Sequence, residues 1–76
     1  MSQRSAYISH LNEYRGLRDA IMEHTEEFHD SMHFDIQGYE EQLMSGDLDE
    51  LDDLIDQVKA FRQIYTGLTG INYKFA

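Results

Sequence analysis

A nine-residue stretch near the middle of the chain decides the fold: Leu43-Met44-Ser45-Gly46-Asp47-Leu48-Asp49-Glu50-Leu51. It separates two segments in which apolar residues recur every three or four positions, the spacing of one face of an α-helix. Gly46 suits the left-handed backbone conformation that follows many helices, and Asp47 with Glu50 three residues later matches the pattern of a helix N-cap. The stretch therefore predicts a turn at residues 45–47 between two helices.

The apolar stripe before this turn predicts a long first arm. Its members are Tyr7, Leu11, Tyr14, Leu17, Ile21, Phe28, Met32, Ile36, Tyr39 and Leu43. One helix over about residues 4–44 accounts for the stripe, and at 1.5 Å per residue it would be about 60 Å long. The alternative is a break at residues 33–35, with Asp35 as the N-cap of a new helix and Phe34 packed on Tyr39 across it. The first interpretation gives an antiparallel helical hairpin, and the second gives a three-helix arrangement.

A second helix is predicted over about residues 48–66, where a leucine-rich stripe runs from Leu48 to Tyr65 and Gly67 marks its end. The remaining tail, residues 67–76, is short and apolar through Leu68, Ile71, Tyr73 and Phe75. It either folds back onto the open end of the hairpin or docks into a neighbouring chain. The fold class is therefore all-α, with residues 1–76 in one small domain.

Composition excludes several classes of function. The 76 residues include 15 Asp and Glu against 6 Lys and Arg, for a net charge of −9, and no cysteine. Without cysteine there is no disulfide framework, no thiolate zinc site and no thiol nucleophile. Nucleic acid and anionic membrane surfaces would repel such a chain, so direct binding to either is not expected. The chain has no long apolar run and no signal-peptide pattern, which predicts a cytoplasmic protein.

The negative charge is concentrated between residues 19 and 58, where 14 acidic residues occur without a single Lys or Arg. Two acidic stripes recur at helical spacing within this block: Glu23, Glu26, Glu27 and Asp30, and then Asp49, Asp52, Asp53 and Asp56. The plainer interpretation is a pair of solvated helix faces. The functional interpretation is that these lines of charge imitate nucleic-acid phosphates and enter the basic groove of a nucleic-acid-binding protein.

No residue pattern predicts catalysis or a cofactor. The serines lie at helix starts and turns, where capping explains them, and no nucleophile is paired with a base. His24, His29 and His33 lie among acidic residues, but Glu26 and His29 supply only a single Glu-x-x-His motif, whereas di-iron bundles use two. The histidines are expected to be surface residues, so no metal site, no cofactor and no enzymatic activity are predicted.

Residues 36–65 carry a helix, a Ser-Gly-Asp turn and a second helix. This pattern resembles short acidic helical-hairpin accessory proteins of tailed phages. The resemblance implies a role in virion assembly or packaging, or an early protein that acts on a host target. It transfers no functional residue.

These observations together predict a small, acidic, non-enzymatic interaction protein that acts as an oligomer or as an assembly subunit. The first apolar stripe is longer than the second helix can cover, so the excess around Tyr7 to Ile21 would need the tail, a third helix or another chain as its cover. The predicted interface consists of Tyr7, Leu11, Tyr14, Leu17 and Ile21 with tail residues Leu68, Ile71, Tyr73 and Phe75. The alternative function is a nucleic-acid mimic that presents the two acidic stripes to a basic partner.

Overall fold

The computed structural model describes residues 3–75, and these residues form three α-helices and no strand. Helix α1 spans Gln3–Met22, α2 spans His29–Ser45 and α3 spans Leu51–Thr69. The all-α prediction is confirmed over this range. The predicted end residues 1, 2 and 76 of the domain lie outside the described residues.

The first arm is broken, and the break is at residues 23–28 rather than at 33–35. After α1, the amides of His24 and Thr25 both donate to the Ile21 carbonyl, at 2.9 and 3.0 Å. The Thr25 hydroxyl then accepts the Glu27 amide at 3.2 Å, which is a local side-chain turn that competes with the helix. Asp35 does not begin a helix. It lies inside α2, where its carboxylate accepts a hydrogen bond from α1 instead of capping.

The predicted turn after α2 is present, with shifted helix ends. Gly46 adopts the left-handed conformation, with φ of 81°. The amide of Asp47 donates back to Gln42, which satisfies a carbonyl at the end of α2. The Asp47 carboxylate accepts the Asp49 amide, so it closes a local turn and α3 starts only at Leu51. That helix runs through Gly67 and stops at Gly70, whose φ is 74°.

Helix α1 packs between the other two, and long-range contacts fix their directions. Tyr7 near the start of α1 donates to the Tyr39 carbonyl in α2 and Tyr14 donates to Asp35, so α1 and α2 are antiparallel. Helices α1 and α3 run in the same direction, because Gln3 at the start of α1 contacts Leu48 just before α3, and Glu13 further along α1 contacts Arg62 further along α3. The three helices therefore run up, down and up.

Aromatic rings form a continuous line through the core. The ring centroids of Tyr7 and Tyr39 are 6.4 Å apart, those of Tyr39 and Tyr14 are 6.0 Å apart, and those of Tyr14 and Phe61 are 5.5 Å apart. Phe28 continues the line at 5.9 Å from Phe61. Each such pair adds about 0.5–1.5 kcal/mol beyond its buried area. Aliphatic side chains complete the core around them: Leu11, Leu17, Ile21, Met32, Ile36, Leu54 and Val58.

The five stripe residues predicted as an intermolecular interface lie in this core. Tyr7, Leu11, Tyr14, Leu17 and Ile21 are at most 1% exposed. Of the covers that the sequence allows for this stripe, which are the tail, a third helix or another chain, the structure uses a third helix within the same chain. Since the break makes α2 a separate helix that folds back, α1 is covered on two sides within the same chain.

The tail folds back across α1 and α3. Tyr73 is partly buried and packs edge-on against Tyr65, with ring centroids 5.3 Å apart. Gly16 makes room for the tail, because an ideal Cβ at that position would lie 2.6 Å from the Tyr73 hydroxyl and 3.3 Å from Cε1 of Phe75. Leu68, Ile71 and Phe75 stay 43%, 63% and 47% exposed. None of the three described helices combines the length and the apolar character that crossing a bilayer requires.

Candidate functional site

The two predicted acidic stripes have different places in the structure. Glu23, Glu26 and Glu27 are exposed in the connection between α1 and α2, and only Asp30 is on a helix. The first set is therefore not a stripe on one helix face. In the second set Asp49 precedes α3, while Asp52, Asp53 and Asp56 are exposed on it. Asp52 and Asp53 are in the first turn, where negative charge complements the helix dipole.

Cationic side chains are used elsewhere in the molecule. Arg15 of α1 pairs with Glu40 at 2.9 Å, Arg18 pairs with its neighbour Asp19 at 3.1 Å, and Arg62 of α3 pairs with Glu13 of α1. Within residues 3–75, Lys and Arg thus form ion pairs with three of the fifteen acidic residues. The carboxylates of Asp35, Glu50 and Asp53, on the side of the molecule where α2 and α3 meet, pair with no Lys or Arg of these residues.

Helices α2 and α3 enclose a groove of about 190 Å³ on this side, which we call the acidic groove. Three carboxylates line it, from Asp35, Glu50 and Asp53. At its edge Phe34 is 75% exposed, which is unusual for a large aromatic side chain. Gly38 leaves the groove open, since a Cβ added there would meet no atom within 4 Å.

Core tyrosines hold two of these carboxylates in place. The Tyr39 hydroxyl donates to Oδ2 of Asp53 at 2.6 Å, and the Tyr14 hydroxyl donates to Oδ2 of Asp35 at 2.9 Å. Burial and then these hydrogen bonds raise the pKa of both tyrosines well above the ordinary value of 10.0. Both hydroxyls therefore remain protonated donors at neutral pH, and each leaves the second oxygen of its aspartate available.

The groove presents acceptors and no cation. Gln42 also lines it, and its Oε1 atom is shielded from solvent and accepts no hydrogen bond from the described residues. None of the described side chains that line the groove carries a positive charge. Since the hydroxyls of Tyr14 and Tyr39 are already donating, further hydrogen-bond donors to the groove carboxylates come from water or from a ligand. This arrangement can bind a cationic group, and it contains no nucleophile.

The histidines are near the other end of α2. The rings of His29 and His33 stack with centroids 5.9 Å apart, and His33 is 3.3 Å from the Gln37 amide nitrogen. His24 contacts the edge of Tyr65 with ring centroids 6.2 Å apart. Nowhere in residues 3–75 do three His, Asp or Glu side chains converge in a way that could hold a metal ion.

A second cavity of about 390 Å³ lies between α3 and the tail, lined in part by Arg62, Thr66 and Tyr73. Arg62 is its one charged lining group, and that guanidinium already pairs with Glu13. The Thr66 hydroxyl donates to the Arg62 carbonyl. The side chains of Arg62 and Thr66 are therefore already engaged within the chain.

Sequence reasoning identified Asp53 but missed the rest of the groove. The sequence pattern places Asp35 and Phe34 at a possible helix start and Glu50 in a capping pattern. One signal could have shown the site: Phe34 is a large aromatic residue that does not belong to the apolar stripe through Met32 and Ile36. An aromatic residue off the buried stripe predicts an exposed ring, and a ring flanked by acids is a typical contact for a cation.

Comparisons with protein-family models, with curated proteins and with solved structures found no match to this chain.

Proposed function

We propose that this protein is a small non-enzymatic interaction protein whose α2–α3 side binds a basic surface of a partner protein. The observation that carries the proposal is the separation of charge: the arginine ion pairs within residues 3–75 engage Glu13, Asp19 and Glu40, whereas the groove carboxylates of Asp35, Glu50 and Asp53 pair with no Lys or Arg of those residues. A partner that supplies positive charge would relieve the mutual repulsion of these groups. Basic grooves of nucleic-acid-binding proteins have the required charge.

Covalent chemistry is not part of the proposal. The exposed acids around the groove are surrounded by water, and the hydroxyls nearest to them belong to tyrosines with raised pKa, which are poor nucleophiles and poor bases at neutral pH. Electrostatic attraction across such a surface mainly increases the association rate and gives the interaction a strong salt dependence.

A matched pair of charge reversals tests this proposal. The first variant changes Asp49, Asp52 and Asp56 to Lys, all exposed near or on α3. The control changes Glu23, Glu26 and Glu27 to Lys, which alters the net charge equally in the α1–α2 connection. Tagged full-length chains are used to capture partners from extracts of the native cells at low and high salt, and the captured protein is identified and titrated.

We expect a basic partner that binds the wild-type chain and the control at low salt, is released at high salt, and is lost in the α3 variant. Equal loss in both variants would show that only the total charge matters. Binding that survives the α3 variant, or that does not change with salt, would contradict the proposal.

A second candidate is an assembly subunit that associates through apolar contacts, which is also the role that the phage resemblance implies. The observation that favours it is the partial exposure of Leu68, Ile71 and Phe75 at the end of the chain. Sedimentation velocity on the same wild-type sample distinguishes the two candidates. A species larger than the 8.9 kDa monomer that persists at high salt supports the assembly role, and a monomer at micromolar concentration excludes self-association.

A further inference from the structure

We propose that the cavity of about 390 Å³ between α3 and the tail binds a small aromatic carboxylate, whose carboxylate group pairs with Arg62. This cavity shares no lining residue with the acidic groove, and it would take a group of the opposite charge. The site therefore goes beyond the proposed function and does not depend on it.

Arg62 has N–H donors that its own chain does not use. A guanidinium carries five N–H donors, and a carboxylate that binds it in the bidentate manner occupies two of them. Within residues 3–75 the Glu13 carboxylate is the one acceptor that bonds to this side chain. Glu13 is only 8% exposed, so it holds the guanidinium from the protein side. At least three donors of Arg62 therefore remain for a ligand, and 43% of the side chain is exposed.

Two side-chain amides extend the set of donors around the guanidinium. Gln63 is the next residue on α3 and Asn72 is in the tail, and both line the cavity. Neither amide forms a hydrogen bond with another residue between positions 3 and 75. An amide NH₂ group supplies two donors, so these side chains can bond to the same carboxylate that Arg62 binds.

The charge around this cavity is positive, in contrast to the rest of the chain. Residues 59–76 contain Lys59, Arg62 and Lys74 and no Asp or Glu. Lys59 is one helical turn before Arg62 on α3, and Lys74 is in the tail. Both lysines are exposed, and within residues 3–75 neither forms an ion pair.

The acids close to the cavity are already paired. Burial first, and then the negative charge of Glu13 and more weakly that of Asp19, raise the pKa of Tyr73, so these are the carboxylates whose charge reaches the cavity. Glu13 pairs with Arg62, and Asp19 pairs with Arg18. The unpaired charges nearby are therefore those of the two lysines, and they attract an anion.

The size of the cavity and its walls define the class of ligand. Its volume of about 390 Å³ lies within the roughly 300–1,000 Å³ that is typical of small-molecule sites. Tyr73 lines it and offers an aromatic surface, which favours a flat, largely apolar body beyond the carboxylate. One guanidinium matches one carboxylate, whereas a phosphate dianion would meet twice the long-range repulsion from a chain of net charge −9.

A bound ligand would join the tail to α3. Asn72 and Tyr73 belong to the tail, whereas Arg62 and Gln63 belong to α3, so a ligand that contacts both sets bridges them. Since the complete site exists only while the tail is folded back, binding should stabilise that arrangement.

The test titrates the isotope-labelled full chain with benzoate at constant ionic strength and follows its backbone amide signals by NMR. Benzamide and inorganic phosphate are the matched probes, because the first keeps the ring without the charge and the second keeps the charge without the ring. We expect saturable shifts at Gln63, Asn72 and Tyr73 with benzoate, with a Kd on the order of 1 mM as for a fragment-sized ligand. Benzamide and phosphate should each bind at least about tenfold more weakly.

Four variants locate the binding site, and circular dichroism checks that each is folded. Arg62→Lys keeps a positive charge beside Glu13 but removes the fork, so it should weaken benzoate binding about tenfold. Asn72→Ala, at an exposed position, should weaken it about threefold. Lys59→Gln and Arg4→Gln each remove one exposed positive charge, and only Lys59 is near the cavity. Lys59→Gln should weaken binding about twofold, and Arg4→Gln should leave it unchanged.

Equal binding of benzoate and benzamide would show that the negative charge is not recognised, and phosphate binding as tight as that of benzoate would assign the cavity to another class of ligand. Either result overturns the proposal. Shifts that do not saturate, or equal effects of Lys59→Gln and Arg4→Gln, would also overturn it, because they would indicate only a general attraction between charges. If Arg62→Lys does not fold, Asn72→Ala and the Lys59 and Arg4 pair still decide the outcome.

Discussion

Replacing Gly16 with alanine should fail to stabilise the protein, although alanine is the better helix former. In the middle of a helix this substitution ordinarily adds about 1 kcal/mol to the free energy of unfolding. The new Cβ, however, would lie 2.6 Å from the Tyr73 hydroxyl and 3.3 Å from Cε1 of Phe75. Real Cβ atoms do not make the first contact, so the Tyr73 side chain has to shift away from α1.

The size of the expected change in stability follows from the contacts that Tyr73 in the tail would lose. Moving Tyr73 disturbs its edge-on contact with Tyr65, which contributes about 0.5–1.5 kcal/mol, and exposes part of a ring that is now half-buried. The two losses together come to about 1–2 kcal/mol. They cancel or exceed the gain in helix propensity, so the Gly16→Ala protein should be between 0 and about 1 kcal/mol less stable than the wild type.

Gly38→Ala is the matched control, because Gly38 lies inside α2 and a Cβ there meets nothing within 4 Å. The free energy of unfolding of the Gly38→Ala protein should therefore rise by the full increment, about 1 kcal/mol. Urea unfolding monitored by circular dichroism measures both variants. Tyr73→Phe removes the hydroxyl that the new Cβ would meet, so the double variant with Gly16→Ala should recover part of the loss. If Gly16→Ala stabilises as much as Gly38→Ala, the tail does not depend on the space at Gly16.

Two further predictions concern the core. Burial and the hydrogen bonds to Asp35 and Asp53 raise the pKa of Tyr14 and Tyr39 on folding, so the stability that these residues contribute is complete below about pH 10 and is lost progressively as the pH rises from there through the raised folded value; tyrosinate absorbance should therefore appear together with unfolding. A tyrosinate signal from both residues in the folded chain would contradict this. Leu17→Ala should cost about 2–5 kcal/mol at every protein concentration, because Leu17 is fully buried within its own chain; a loss that disappears on concentrating the sample would instead place it at an interface between copies.

The fold could be predicted where its signals are local. Gly46 ends α2 in the predicted conformation because a left-handed residue is readily recognised from a glycine after an apolar stripe. The break at residues 23–28 gave no such signal. Ile21 and Phe28 are seven residues apart, close to two helical turns, so the stripe continues in phase across the break. Periodicity alone cannot distinguish one long helix from two helices that keep the same register.

The groove could not be predicted because it depends on the placement of three helices. Tyr14 and Asp35 are 21 residues apart, and Tyr39 and Asp53 are 14 apart. A two-helix hairpin would have left Tyr14 without its partner, since α1 and the present α2 would have been one rod. The pairing of Arg62 with Glu13 has the same origin, because it requires α1 and α3 to lie side by side in parallel. Local patterns contain no information about these neighbours.

The tyrosines explain how a chain this acidic keeps an acidic groove without a cation of its own. Leucine at positions 14 and 39 would also be apolar, but the carboxylates of Asp35 and Asp53, which line the groove with Glu50, would then lose these hydrogen bonds and have only water to stabilise their charge. Each tyrosine buries its ring in the core while its hydroxyl donates to one carboxylate at the surface. A hydrogen bond to a charged acceptor contributes about 1.5–3 kcal/mol, which offsets the repulsion and holds the carboxylate in one orientation. Hydrogen bonds from two core tyrosines thus hold the groove carboxylates in place. The second oxygen of each aspartate stays free to contact a positively charged group of a partner.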